Sequence, residues 1–365
     1  MEKVISKEGD PFFCLSVRGS DYEIGRQIGS ATSADIADLW ENFMLPRMAG
    51  QFGTPECKYQ ASYEWLRKNL EKVNPGIVER LDGIAAGSGV EEEKVWLMNH
   101  YAVLWSGKGL FCTTAAVRDS DAGPVLGQNL DIGREDIYYV TKTYPKNGYA
   151  ILGEAMCSMW CSSTGVNEKG LAVGSSNLAS TARVARKPFA PGIPVHFIPK
   201  LVLHNCAGVA EAVEFIKSLP SVLPESGGYQ MNFIDAQGNM AVVDKTGPYV
   251  LARQCEPDLN FTTNFSLDEK LEKWRTEGGI EHPNIYKRAE NIRSSYAALN
   301  SQKPTVSWLK KLFRSHEGIG RLCRHGEEEY GLGYSRMGFV YYPRQRQAEI
   351  SNGWPCCNEY QQFSL

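Results

Sequence analysis

The chain lacks an excess of charge of either sign. Its 39 lysines and arginines nearly balance 42 aspartates and glutamates, leaving a net charge of −3. Such a field steers neither nucleic acid nor an anionic membrane surface, so neither is expected as a partner. Long apolar runs are missing as well. No stretch approaches the roughly 20 residues that cross a bilayer, and the opening MEKVISKEGDPFFCL has no apolar core of signal-peptide length. These absences predict a soluble protein of the cytoplasm or another intracellular compartment. No internal repeat and no low-complexity tract interrupts the sequence. Histidine is scarce, with six scattered residues to which no role is assigned. Ten cysteines (14, 57, 112, 157, 161, 206, 255, 323, 356 and 357) form no disulfide framework and no Cys-x-x-Cys pairs. No histidine stands at ligand spacing from a cysteine pair, so neither a metal nor another cofactor is expected. Most of the thiols read as buried small hydrophobes.

What is present divides into two textures. The first hundred residues read as helical after a short strand at 12–17. Ser20 and Glu23 have the spacing of a capping box. Ile24, Ile28, Ile36, Leu39, Trp40 and Phe43 then recur at near-helical spacing until Pro46. Further helices are expected at 63–73, 75–86 and 91–105. From Cys112 onward, short strands are expected at 113–118, 125–130, 138–143, 149–156 and 171–176, with AMCSMWCSSTG also read as strand. A helix at 206–219, strands at 230–235 and 240–244, helices at 285–299 and 306–314 and a hairpin over 335–351 follow. Strand runs between helical blocks predict an α+β fold of antiparallel sheets covered by helices.

Cys112 opens the first strand of a hairpin whose return strand carries Asp131. A thiol reacts as its thiolate, so Cys112 needs a base. His100 lies in an expected helix, and nothing local supplies a Cys–His pair. One arrangement needs no histidine. If the Phe111–Cys112 bond is cut, Cys112 gains an α-amine, whose reference pKa of about 7.7–8.0 suits a general base. The glycines of the preceding SGKGL make that approach flexible.

The motifs CTTAAV, GQNLDI, GVNEKGLAV with SNL, TTN and SRMGFVYY, in that order, resemble the isopenicillin N acyltransferase-like group of N-terminal-nucleophile (Ntn) hydrolases. So do YEIGRQIG and LDGIAAGSGV in the leader. The resemblance covers nearly the whole chain. It implies an αββα sandwich and a precursor that cleaves itself between Phe111 and Cys112. A helical leader (1–111) and a catalytic core (112–365) then stay associated as a heterodimer. By resemblance, Cys112 is the nucleophile, and Asp131 orients and neutralises the new α-ammonium. Asn264 belongs to the oxyanion hole and Asn177 is a second asparagine there. Arg336 is expected beside Asp131, with Ser335 a polar neighbour. The implied substrate is a small N-acylated amine or amino acid, processed through an acyl-thioester. An amine or acyl-CoA is the co-substrate to consider, although no phosphate-cradling motif supports a CoA donor.

The sequence departs from the family at three places. Phe111 replaces a common glycine before the nucleophile. Phe265 replaces a histidine after the oxyanion asparagine. Gln128 stands where the bile-salt branch carries arginine. Taken singly, the residues have plainer readings: Cys112 as core filler, Asp131 as a turn-end acid, Asn177 and Asn264 as turn or cap residues, Arg336 as a surface cation. The Phe111 departure keeps one alternative open, an uncleaved relative that binds a small ligand in the same cleft.

Overall fold

The computed structural model describes residues 14–46, 56–101, 112–132, 138–156, 163–178, 193–222, 228–269, 271–272, 283–326 and 334–365. β1 (Cys14–Gly19) leads into α1 (Asp21–Ala31). The expected capping box closes here: the Ser20 N–H donates to the Glu23 carboxylate at 2.7 Å, and the Glu23 N–H donates to Ser20 Oγ at 3.2 Å. The one helix expected up to Pro46 is instead interrupted at Thr32, whose hydroxyl turns back to the Ile28 carbonyl. α2 (Ser33–Leu39) and a single π turn (Trp40–Met44) follow. α3 (Glu56–Val73), α4 (Pro75–Ser88) and α5 (Glu92–Tyr101) complete this block. α1 and α4 cross at glycines. A Cβ on Gly25, Gly29, Gly83 or Gly87 would stand 2.1–2.2 Å from a carbonyl oxygen of the opposite helix, so only glycine allows the two backbones to come this close.

The remaining strands are β2 (Thr113–Ser120), β3 (Gly123–Ile132), β4 (Tyr138–Pro145), β5 (Ile151–Met156), β6 (Thr164–Asn167) and β7 (Ala172–Leu178). After α6 (Ile198–Asn205) and α7 (Val209–Ser218) come β8 (Gly228–Ile234), β9 (Met240–Thr246), β10 (Tyr249–Arg253) and β11 (Leu259–Thr262). α8 (Pro283–Ala297), α9 (Val306–Phe313), β12 (Tyr334–Tyr342), β13 (Gln347–Asn352) and β14 (Tyr360–Ser364) close the chain. The strand reading of AMCSMWCSSTG beyond Met156 falls largely outside the described residues, as does Phe111.

The described strands form two sheets, ordered β1-β4-β5-β6-β7-β8-β9-β10 and β11-β2-β3-β12-β13-β14. Every pairing is antiparallel except β1 with β4. β1 precedes the helices in sequence yet serves as an edge strand of the larger sheet, from Cys14 opposite Val140 to Gly19 opposite Pro145.

Three apolar layers result. Leu126, Leu130, Leu152, Val166, Ile234 and Phe339 fill the space between the sheets. Val117, Val125, Phe261, Ile292, Leu312 and Phe313 pack the smaller sheet against α8 and α9. Ile24, Leu81, Trp96, Val173, Phe197 and Leu201 join the larger sheet to the first helical block and to α6. β3 lies in the middle of this stack, and all ten of its residues are buried. Helix, sheet, sheet and helix are stacked in that order, as an αββα sandwich.

Candidate active site

The site is built on the β2–β3 hairpin. Thr113 stands opposite Asn129, and Ser335 of β12 stands opposite Asp131. Side chains alternate across a strand. Cys112 and Ala116 belong to the layer between the sheets, where Thr114 Oγ1 also accepts from Asn232 Nδ2 of β8 at 3.1 Å. Asn129 turns the other way, donating to the carbonyls of Phe313 and Leu322 at 2.9 and 2.8 Å. Asp131 shares that face. Cys112 Sγ lies 3.9 Å from the Asp131 carbonyl oxygen, so thiol and acid meet through the main chain and not through the carboxylate.

The carboxylate is wholly buried. Ser335 Oγ donates to Asp131 Oδ1 at 2.6 Å and accepts from the Arg324 N–H at 2.8 Å. Asp131 Oδ2 is buried with no hydrogen-bond partner. Burial pushes the carboxyl up to about 6, against the pull of Arg324, Ser335 and Arg288. Burial also pushes the Cys112 thiol up to about 12, with the charge of Asp131 adding to the effect. At neutral pH the thiol is therefore protonated and needs a base to react.

Arg336, expected beside Asp131, is placed elsewhere. β12 bulges between Ser335 and Met337, which rotates the residue between them. Arg336 Nη1 donates to Asn352 Oδ1 of β13. The cations that act on Asp131 are Arg324 and Arg288.

Asn264 follows β11 at φ 76°, a left-handed conformation that asparagine tolerates better than most residues. Its N–H donates to Gln230 Oε1 at 3.1 Å and its Nδ2 to the Asn177 carbonyl at 2.7 Å. The two expected asparagines are thus brought together, Asn177 through its backbone oxygen. Gln230 is held in turn by Asp244, whose Oδ1 accepts its Nε2 at 3.0 Å.

The sequence reading missed Arg288, on α8 and fully buried. Its Nη1 donates to the Cys112 carbonyl at 3.0 Å and to Thr113 Oγ1 at 2.6 Å. Its Nη2 donates to the Thr263 carbonyl at 3.2 Å and to Asn264 Oδ1 at 2.9 Å. Asn284 Oδ1, one turn earlier on the helix, accepts its Nε at 2.8 Å. One planar guanidinium thereby ties the head of β2 to the Asn264 turn. Gln128 was read only as a departure from the bile-salt branch. Its side chain bridges the sheets, donating to the Ser175 carbonyl at 3.1 Å and accepting from the Ser175 N–H at 3.0 Å.

A separate group lies behind Ser335: the ligand atoms of Cys323, His325 and Cys356 are all within 4.8 Å of one another. Among the described residues, no helix is long and apolar enough to cross a membrane.

Among solved structures the chain is similar to penicillin V acylase from Agrobacterium tumefaciens. Identity is 14% and the TM-score 0.46, covering 66% of this chain and 83% of that one. It is also similar to a variant of conjugated bile acid hydrolase from Clostridium perfringens (15% identity, TM-score 0.43, 70% and 97% covered). A third similar structure is the Caenorhabditis elegans ortholog of N-acylethanolamine-hydrolyzing acid amidase (15%, 0.41, 64% and 93%). No curated protein matches by sequence. The model of one family, acyl-coenzyme A:6-aminopenicillanic acid acyl-transferase, matches residues 117–331. That stretch holds Asp131, Asn177, Asn264 and Arg288, starts five residues after Cys112 and stops before Ser335. It spans more than half of the sequence, and the chain belongs to that family.

Proposed function

We propose that this chain is a cysteine amidohydrolase or acyltransferase that activates itself by cutting the Phe111–Cys112 bond. The observation that carries the reading is the seating of Cys112. Its carbonyl is joined through Arg288 to Asn264, and its thiol lies against the main chain of Asp131. In the activating step the Cys112 thiol attacks the Phe111 carbonyl carbon. The amide C–N bond breaks, a thioester forms, and the Cys112 nitrogen leaves as an amine. Water then hydrolyses the thioester to a Phe111 carboxylate and a free thiol.

The new α-amine is the base the thiol lacks. With a reference pKa of about 7.7–8.0, part of it is free base near neutral pH, and that form takes the thiol proton as sulfur attacks the amide carbonyl of a small N-acylated amine or amino acid. Asp131 receives the resulting α-ammonium at its unpartnered Oδ2, while Ser335 holds the other oxygen in place. The oxyanion is met by Asn264, a contribution worth about 3–4 kcal/mol in a dry site. The amine product leaves with the proton, and the acyl group stays on sulfur. Water completes a hydrolysis and a second amine completes a transfer. The family name, with its acyl-CoA donor and amine acceptor, supports the second outcome.

Intact-mass measurement tests the reading. Wild type should separate on denaturation into residues 1–111 and 112–365, while Cys112→Ala stays whole and inactive. An active enzyme that remains one uncut chain overturns the assignment of the α-amine as base.

A further inference from the structure

We propose that Cys323, His325, Cys356 and Cys357 form a binding site for a thiolate-preferring divalent cation, Zn²⁺ above all. Cys323 and His325 flank Arg324 in the stretch that runs beside Tyr334 and Ser335. The Ser335 N–H donates to the Arg324 carbonyl at 2.9 Å, and His325 bridges to Tyr334. The Cys323 and His325 side chains meet, while the charge of Arg324 between them acts on Asp131. Cys356 and Cys357 come from the turn between β13 and β14. His325 Nε2 lies 3.7 Å from Cys323 Sγ and 3.2 Å from Cys356 Sγ, and the Cys356 and Cys357 sulfurs are 3.3 Å apart.

These separations suit a tetrahedral centre. With Zn–S near 2.3 Å and Zn–N near 2.0–2.1 Å, neighbouring ligand atoms lie about 3.6–3.8 Å apart. The Cys323, His325 and Cys356 donors already lie near this spacing, whereas the exposed Cys357, outside the group whose ligand atoms all lie within 4.8 Å of one another, has to turn inward to become the fourth ligand. Three thiolates and an imidazole favour zinc over magnesium or calcium, which take oxygen ligands. The histidine ring is held ready. Trp354 stacks on it with centroids 4.1 Å apart and planes at 21°, and His316 stacks on it at 5.6 Å. Cys323 is fully buried while Cys357 is exposed, so the site has a closed floor and an open mouth. On binding, each coordinating thiol gives its proton to solvent, and no oxidation state changes. The site does not depend on the catalytic reading, because its ligands take no part in that chemistry.

Titration of reduced, chelator-treated full-length protein with Co²⁺, followed by absorbance, tests the site. Wild type should bind one equivalent, with thiolate-to-cobalt charge transfer and tetrahedral ligand-field bands, and Zn²⁺ should displace the cobalt. Cys323→Ser and Cys356→Ser should each weaken binding about 100-fold or more. Cys357→Ser should keep binding but lose about a third of the charge-transfer intensity. Cys14→Ser, on β1, should match wild type. Zinc content of the wild-type protein as purified gives a readout independent of whether the variants fold. Binding no tighter in wild type than in Cys323→Ser overturns the site, as does purification with a Cys323–Cys356 disulfide and no zinc. Unchanged intensity in Cys357→Ser overturns the fourth ligand.

Discussion

Asp131 gives one carboxylate oxygen to Ser335 and holds the other buried against nothing that donates to it. Its carboxyl titrates near 6 in the folded chain, against about 3.9 when unfolded, so the folded state holds the proton more tightly. The stability this group contributes is full below about pH 4 and is lost as pH rises through 6. The effect is measurable in chains kept uncut by Cys112→Ala. Relative to the same chain with Asp131→Asn, stability should rise by on the order of 2–3 kcal/mol between pH 7.5 and pH 4. Urea unfolding at the two pH values measures it, and a flat difference means that Asp131 titrates normally. That Asp131, Cys112 and Asn264 would be brought together was legible because each sits in a short motif in the right order. Arg288 was not. In NIYKRAENIRSS it stands among other cations and reads as part of a solvated helix face. The available signal was its place on the stripe of Ile285, Ala289 and Ile292, all buried. A charge on an apolar face means a buried partner set.

At the scale of elements, the β12 bulge decides which neighbour serves Asp131. The hairpin itself was legible from its alternation, but a one-residue slip leaves no mark in the alternation and so could not be read. Because the slip gives Asp131 to Ser335 and Asn352 to Arg336, Ser335→Ala should slow Phe111–Cys112 cleavage tenfold or more. Arg336→Ala should lower the melting temperature and leave the cleavage rate within a few-fold. A time course of fragment appearance separates the two, and equal slowing would return Arg336 to the site. The α1–α4 crossing carries a second prediction. A methyl at Gly25 would meet the Arg80 carbonyl oxygen at 2.1 Å, and backbone cannot rotate away as a side chain can. Gly25→Ala should cost at least about 2–3 kcal/mol, toward the upper end of overpacking penalties. Thermal unfolding of the uncut chain measures it. Both glycine pairs are visible as GRQIG and GIAAG. That they face each other depends on which helices the fold makes neighbours, and a single sequence does not encode this locally.

Across the whole molecule, the layers follow from composition and periodicity, whereas the sheet order depends on long-range pairings. β6 forms because β5 and β7 offer it ladders on both sides. β1 is the clearest case. It was expected as a short strand heading a helical leader, and it extends the larger sheet beside β4, while the helices behind it share one apolar layer with that sheet. If the chain is cut before Cys112, β1 and β4 belong to different molecules, and their ladder becomes a subunit interface. Folding of the cut protein is then a second-order association, subject to mass action. The melting temperature of processed wild type should climb with protein concentration, while that of uncut Cys112→Ala should not. Dilution would then favour separation of the two fragments, a vulnerability that the precursor, as a single covalent chain, does not have.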